Sequence, residues 1–196
     1  MSNENHPIKD VVNELIINDK LPGLVSIQAT ALILDINNLY KRAKNNGFRI
    51  DYGKLKTIFG SRCDVKKMIA YSAVDRNDPS VGDWLSYMTK RQYQVYTKDL
   101  NRYINHEGNP VVKGNMDIEI TIGALSLPNT INHVILGTCD EDFVPLVNTL
   151  KSIADMKVSV LGIHNPKTKG MSDSLMKAAD NFYNLFDLVE FISYKG

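Results

Sequence analysis

The sequence predicts an α/β domain in which a mostly parallel central sheet is covered by helices on both faces, giving three layers, α/β/α. Two observations carry this. Apolar runs of strand length, "ALIL", "KKMIAYSAV", "HVILG" and "KVSVLGI", recur along the chain, and such runs suit strands buried on both faces. Helical segments with their own stop signals lie between them, and strands alternating with helices make parallel crossovers. The 196-residue length favours one domain, and 43% hydrophobic residues supply its core.

The elements follow in order. Residues 7–18 place Ile8, Val11, Val12, Leu15 and Ile16 at helical spacing after Pro7. "NDKLPG" breaks the pattern, so residues 1–22 read as an appended helix and linker, and 23–196 as the main domain. "ALIL" (31–34) is the first strand, and "NLYKRAKNNG" is a helix stopped at Asn46-Gly47. "YGKLKTIFG" is a second helix, "KKMIAYSAV" (66–74) a strand, "DRNDPSVG" a loop and "DWLSYMTKRQ" a helix. "YQVYT" (93–97) is a shorter strand. "LNRYINHEGNPVVKGNM" is rich in turn residues and reads as an excursion or a hairpin. "DIEITIGALSL" fits helix or strand by composition; helix is preferred because a parallel strand on either side needs a crossover. "HVILG" is a strand, and "FVPLVNTLKSIADM" is a helix with Pro145 in its first turn. "KVSVLGI" is a strand, "SDSLMKAADNFYNLF" a helix and "LVEFIS" a last strand.

Composition narrows the function. With 23 basic and 22 acidic residues, the net charge of +1 argues against a globally basic nucleic-acid binder, so any such role rests on local charge. Cys63 and Cys139 form no CxxC, and the four histidines form no metal motif, which fits a reduced, cytoplasmic protein. Glu4, Asp10 and Glu14 interrupt the N-terminal apolar residues, against a signal peptide, and no apolar stretch has membrane-spanning length.

Acids gather at the carboxyl ends of the expected strands, where open α/β sheets bind ligands. Asp35 ends the first strand and Asp75 the second. Asp140 to Asp142 follow "HVILG", and Asp117 opens a helix after a Gly-containing turn. Singly, each reads as a helix N-cap. Capping also accepts Ser, Thr or Asn, however, and carboxylates sharing one cleft repel unless protonated or neutralised by a cation. Oxygen ligands without His or Cys suit Mg²⁺ or Mn²⁺ rather than zinc.

Four blocks of this sequence resemble the NYN domain family of PIN-like nucleases, which includes the LabA-like proteins. "LILDINNLYK" carries Asp35 and Asn38 as its D-x-x-N. "VVKGNMDIEITIGAL" carries Lys113, Gly114 and Asp117, with one more residue before the Asp than the commonest form. "LGTCDEDFVPLVNTLK" carries Asp140, Asp142, Phe143 and Pro145, and "MSDSLMKAADNF" resembles the closing helix through Ser172, Leu175, Ala179, Asp180 and Phe182. Together they span about residues 30 to 190. Gly123 stands six residues after Asp117, where many members carry another Asp.

The resemblance implies a Rossmann-like, PIN-type domain whose acidic pocket binds Mg²⁺ or Mn²⁺ and hydrolyses RNA phosphodiester bonds. Asp35, Asp117, Asp140 and Asp142 are the expected metal-binding and catalytic acids. Asn38 is placed to hydrogen-bond a phosphate or a metal-bound water. The alternative is a non-catalytic PIN-like module that binds RNA or protein. A phosphate-transfer domain of the HAD type is disfavoured because "DINN" lacks D-x-D, and a Toprim domain because its leading acid is Glu. The expected partner is single-stranded or structured RNA, with no membrane and with a homo-oligomer allowed.

Nine Lys or Arg between residues 41 and 67 face only Asp51 and Asp64, a net +7. This reads either as solvated helix faces or as a phosphate-tracking surface. Lys41, Arg42, Lys44 and Lys113 are the expected RNA contacts. Lys90, Arg91, Lys98 and Arg102 interleave with Tyr93, Tyr96 and Tyr103, a composition suited to stacking and clamping bases or to half-buried strand residues.

Overall fold

Thr30 to Asp35 are all buried, as a continuous apolar run requires of a strand at the middle of a sheet. The computed structural model describes residues 20–21, 28–153, 156–168 and 171–194. The helix expected over 7–18 and the division expected at 22/23 lie outside the described residues. In chain order the elements are β1 (Ala29–Asp35), α1 (Ile36–Asn45), α2 (Tyr52–Gly60), β2 (Asp64–Val74), α3 (Ser80–Lys90) and β3 (Gln94–Asp99). A hairpin of β4 (Asn101–Ile104) and β5 (Pro110–Lys113) follows. Then come α4 (Asp117–Leu125), β6 (His133–Gly137), α5 (Val144–Ser152), β7 (Lys157–Gly162), α6 (Asp173–Ala178), β8 (Asn181–Asn184) and α7 (Val189–Ile192).

Six strands pair in the order β3-β2-β1-β6-β7-β8, and every pairing is parallel. The chain winds outward from β1 to β3, then crosses to β6 and winds outward the other way. The order therefore reverses between β1 and β6, the place where such sheets open a crevice at their carboxyl edge. Helix α1 covers one face: a Cβ on Gly137 would press on Leu34 and Leu39, so β6 must carry glycine where α1 crosses it. Helix α4 covers the other face with buried Ile120 and Ala124. The two faces enclose the core, in which Leu32, Ile33, Leu34, Val134, Ile135 and Leu136 are fully buried.

At the opposite edge of the sheet, His133 is fully buried between Thr30 (Oγ1 to Nδ1, 3.2 Å) and Ser159 (Oγ to Nε2, 2.9 Å). Burial, with Lys157 nearby, pushes its pKa down to about 4, so it is a neutral bridge across three strands.

Three expectations change. The helix expected from residue 83 begins at Ser80, where Asp78 accepts the Ser80 N–H (2.9 Å). The helix expected over 172–186 ends at Ala178. Asp180 then donates its N–H to Val158 O (2.8 Å) and accepts the Val158 N–H on its carboxylate (2.8 Å), which lays the next residues beside β7 as β8. The last strand is thus Asn181–Asn184 rather than 188–193, where a 3₁₀ turn and α7 stand and only Ser193 bridges to Ile50. The turn-rich segment 100–116 is a hairpin, with Asn101 opposite Lys113 and Ile104 opposite Pro110.

Candidate active site

Asp35 is the last residue of β1 and the N-cap of α1, its carboxylate accepting the Asn38 N–H (3.1 Å). It is also only 6% exposed. Burial, and then the charges of Asp117 and Asp140, raise its pKa to about 6 despite the bonds from Asn38 and Thr138. A cap needs none of that cost, since Asn or Ser would cap as well. Asp140 caps the 3₁₀ turn Glu141–Phe143 by accepting the Asp142 N–H (3.2 Å), and its own N–H donates to Thr138 Oγ1 (3.2 Å). Asp117 is the first residue of α4 and accepts from Asn115 Nδ2 (2.8 Å). Its pKa is raised by burial and by the charges of Asp140 and Asp142.

At the carboxyl edge where β1 and β6 part, Asp35 thus lies within the fields of Asp117 and Asp140, and Asp117 within those of Asp140 and Asp142. Among the described residues, no three carboxylates close round one point as a ready-made coordination shell. An all-oxygen set of carboxylates fits Mg²⁺ or Mn²⁺ held largely through water, because Mg²⁺ dehydrates reluctantly and needs only one or two direct carboxylates. Asp75 does not join this group. It accepts the Asn77 N–H (3.1 Å) and pairs with Arg102, anchoring the β4–β5 hairpin.

Two asparagines hold the crevice in shape. Asn38 Oδ1 accepts the Cys139 N–H (2.9 Å), tying α1 to the loop that carries Asp140. One lone pair of its oxygen is therefore engaged by the backbone, and its amide N–H groups are donors suited to a phosphate or a water oxygen. Asn37 accepts the Ala73 N–H on Oδ1 (2.7 Å) and donates Nδ2 to Ala73 O (3.0 Å), which ties α1 to the end of β2. Sequence reasoning missed Asn37; its partner lies 36 residues away, and no local spacing announces the bond.

The cations are less unified than their count suggests. Lys41 and Lys44 are exposed on α1, whose N-terminus meets the acids; Arg42 is half-buried. Lys44 lies over the exposed Tyr40 ring (6.0 Å to its centre), and Lys113 over Tyr103 (5.8 Å). Lys54 donates to Ser193 O (2.7 Å), however, and Lys56 to Gln92 (2.5 Å). Lys66, paired with Asp64 (2.7 Å), lies near the start of β2 at the far edge of the sheet. The stretch 41–67 is not one surface. Tyr93 is core, its hydroxyl donating to Tyr52 O (3.0 Å).

Beside the acids, Tyr71 of β2 stands in register with Asp35 and with Tyr96 of β3, so all three point to the α4 face. The Tyr71 and Tyr96 rings stack at 5.2 Å and 17°. The Tyr71 hydroxyl fills the space over Gly123, where an added Cβ would collide with it.

Comparisons with known proteins agree with this architecture. The NYN domain profile matches residues 29–186. The chain is 25% identical over 166 residues to the low amplitude and bright protein LabA of Synechococcus elongatus, covering 83% of this chain and 86% of that protein. A crystal structure of a protein of unknown function from Vibrio parahaemolyticus superposes with a TM-score of 0.70 at 24% identity, covering 87% of this chain and 98% of the other. Among the described residues, no helix is long and apolar enough to cross a membrane.

Proposed function

The chain belongs to the NYN domain family, within the PIN-like nuclease superfamily, and from that premise we propose that it is a Mg²⁺- or Mn²⁺-dependent endoribonuclease acting on single-stranded RNA. One observation carries the reading: a buried aspartate, Asp35, sits within the fields of Asp117 and Asp140 at the crevice between β1 and β6, with its pKa raised to about 6. Folding alone has no use for that arrangement, whereas a bound cation would relieve it.

Asp35 and Asp140 would hold the metal, with Asp117 and Asp142 in support. When bound, such an ion supplies an activated water and neutralises phosphate charge. The rest falls to the chain. Asn38, through Cys139, fixes the loop bearing Asp140 relative to Asp35. Lys41 and Lys44 on α1 and Lys113 on β5 offer phosphate contacts. Arg42 is less accessible and contributes mainly field.

Asp140→Asn is the test. The amide keeps the cap on the 3₁₀ turn but loses the charge, so the variant should fold as stably as wild type and lose Mn²⁺-dependent cleavage of single-stranded RNA. Chelator should abolish the wild-type activity. A second reading, a non-catalytic RNA-binding module, is favoured by Gly123, which leaves the aromatic ring of Tyr71 where a carboxylate could otherwise project. Wild-type protein that binds RNA but cuts nothing under any divalent metal would establish that reading instead.

A further inference from the structure

Strand register sets up a short row on the α4 face: Asp35 on β1, Tyr71 on β2 and Tyr96 on β3. Adjacent strands stand about 4.8 Å apart, which puts the Tyr96 backbone about 10 Å from that of Asp35. Tyr71 is 4% exposed and Tyr96 is 44% exposed. Tyr71 is wedged under α4 because Gly123 offers no side chain there, and the Tyr96 ring lies flat against it. Gln94 Nε2 donates to the Tyr96 hydroxyl (2.6 Å), and Lys98, beside Tyr96 on the same face, is paired with Glu119 of α4 (2.9 Å). Tyr96 is therefore a held ring, covered on one face by Tyr71 and open to solvent on the edge strand.

We infer that Tyr96, backed by Tyr71, is a stacking platform for a nucleobase of single-stranded RNA entering the acidic crevice. The inference rests on the endoribonuclease reading and adds a determinant of its substrate class. A base can lie on an aromatic face only when it is unstacked from its neighbours, so the platform favours unpaired RNA over duplex. Gly123 acquires a role as well. Its missing side chain is what allows the Tyr71 ring to stand between sheet and helix.

The experiment uses the full chain and a short single-stranded RNA containing 2-aminopurine, a base whose fluorescence is quenched by stacking. Affinity, quenching and cleavage kinetics are measured for wild type, Tyr96→Phe, Tyr96→Ala and Gly123→Asp, with thermal melts to verify folding. Wild type and Tyr96→Phe should quench. Tyr96→Ala should lose quenching, bind about five- to a hundredfold more weakly and show the loss mainly in KM. Gly123→Asp should displace Tyr71 and lose quenching too. If wild type binds and cuts the RNA while Tyr96→Ala quenches and binds equally well, the platform is wrong and the endoribonuclease reading stands. If wild type neither binds nor cuts single-stranded RNA, both fall.

Discussion

Asp35→Asn should make the protein more stable while removing its Mn²⁺-dependent cleavage. The magnitude follows from the raised pKa: a move from the ordinary 3.8 to about 6 is about two pKa units, or at most about 3 kcal/mol. Asn keeps the cap on α1, since its side-chain oxygen can still accept the Asn38 N–H. The sign follows from proton linkage. A carboxyl that is harder to ionise when folded binds its proton more tightly in the native state, so its ionised form penalises the native state in full above about pH 6. The penalty fades as pH falls from there and is gone below about 3.8. The variant should therefore exceed wild type by about 1–3 kcal/mol at pH 7.5, a rise of about 3–10 °C in Tm for a chain of this size. The gain should vanish near pH 4. Mn²⁺ should narrow the difference by stabilising wild type alone. The assay is urea unfolding followed by fluorescence across that pH range, with and without Mn²⁺. A variant less stable than wild type at pH 7.5, or a difference that ignores pH, would refute the claim that Asp35 is held against its own folding preference.

Three further outcomes are expected. His133 has its pKa depressed from 6.5 to about 4, so it favours the native state above pH 6.5 and gives that stability up as pH falls through the interval, opposite in sign to Asp35; by NMR its ring should not titrate between about pH 8 and pH 5. Asn38→Ala orphans the Cys139 N–H and should cost about 1–3 kcal/mol in urea unfolding. It should lower kcat more than it raises KM, whereas equal activity would leave Asn38 a packing residue. Reversing Lys41, Arg42 and Lys44 to Glu should weaken RNA binding and flatten its salt dependence in a filter-binding titration, because fewer counterions are released; an unchanged slope would return these residues to a solvated helix face.

The central sheet was legible because "ALIL", "HVILG" and "KVSVLGI" are apolar on both faces and stand between helices, a pattern that admits little but parallel strands. The convergence of Asp35 and Asp140 followed from the same topology, since every parallel strand ends at one edge. β8 was not legible. Its residues "NFYN" continue a helical pattern, and what removes them from it is the pair of bonds between Asp180 and Val158, 22 residues away. The basic stretch misled for a related reason: a count along the chain cannot register that Lys66 lies near the start of a strand, at the amino edge of the sheet and away from the acids. Tyr93 and Tyr96 are three residues apart and look alike in the sequence. One is core and the other is open to solvent, a distinction that needs the sheet's neighbours to be known.

The reversal of strand order has a mechanical consequence. β1 with β2 and β3 forms one leaf, and β6 with β7 and β8 the other. Asp35 belongs to the first leaf and Asp140 to the second, so their mutual repulsion acts as a wedge at the seam. The β1–β6 ladder resists it along the length of the strands, but that ladder runs out at Leu34 and Gly137. Beyond it, the Asn38 amide on Cys139 and the Thr138 bond to Asp35 span the gap beside the acids. A cation shared by the two leaves would turn the wedge into a cross-link, and loading the crevice and locking the halves of the sheet together would then be a single event.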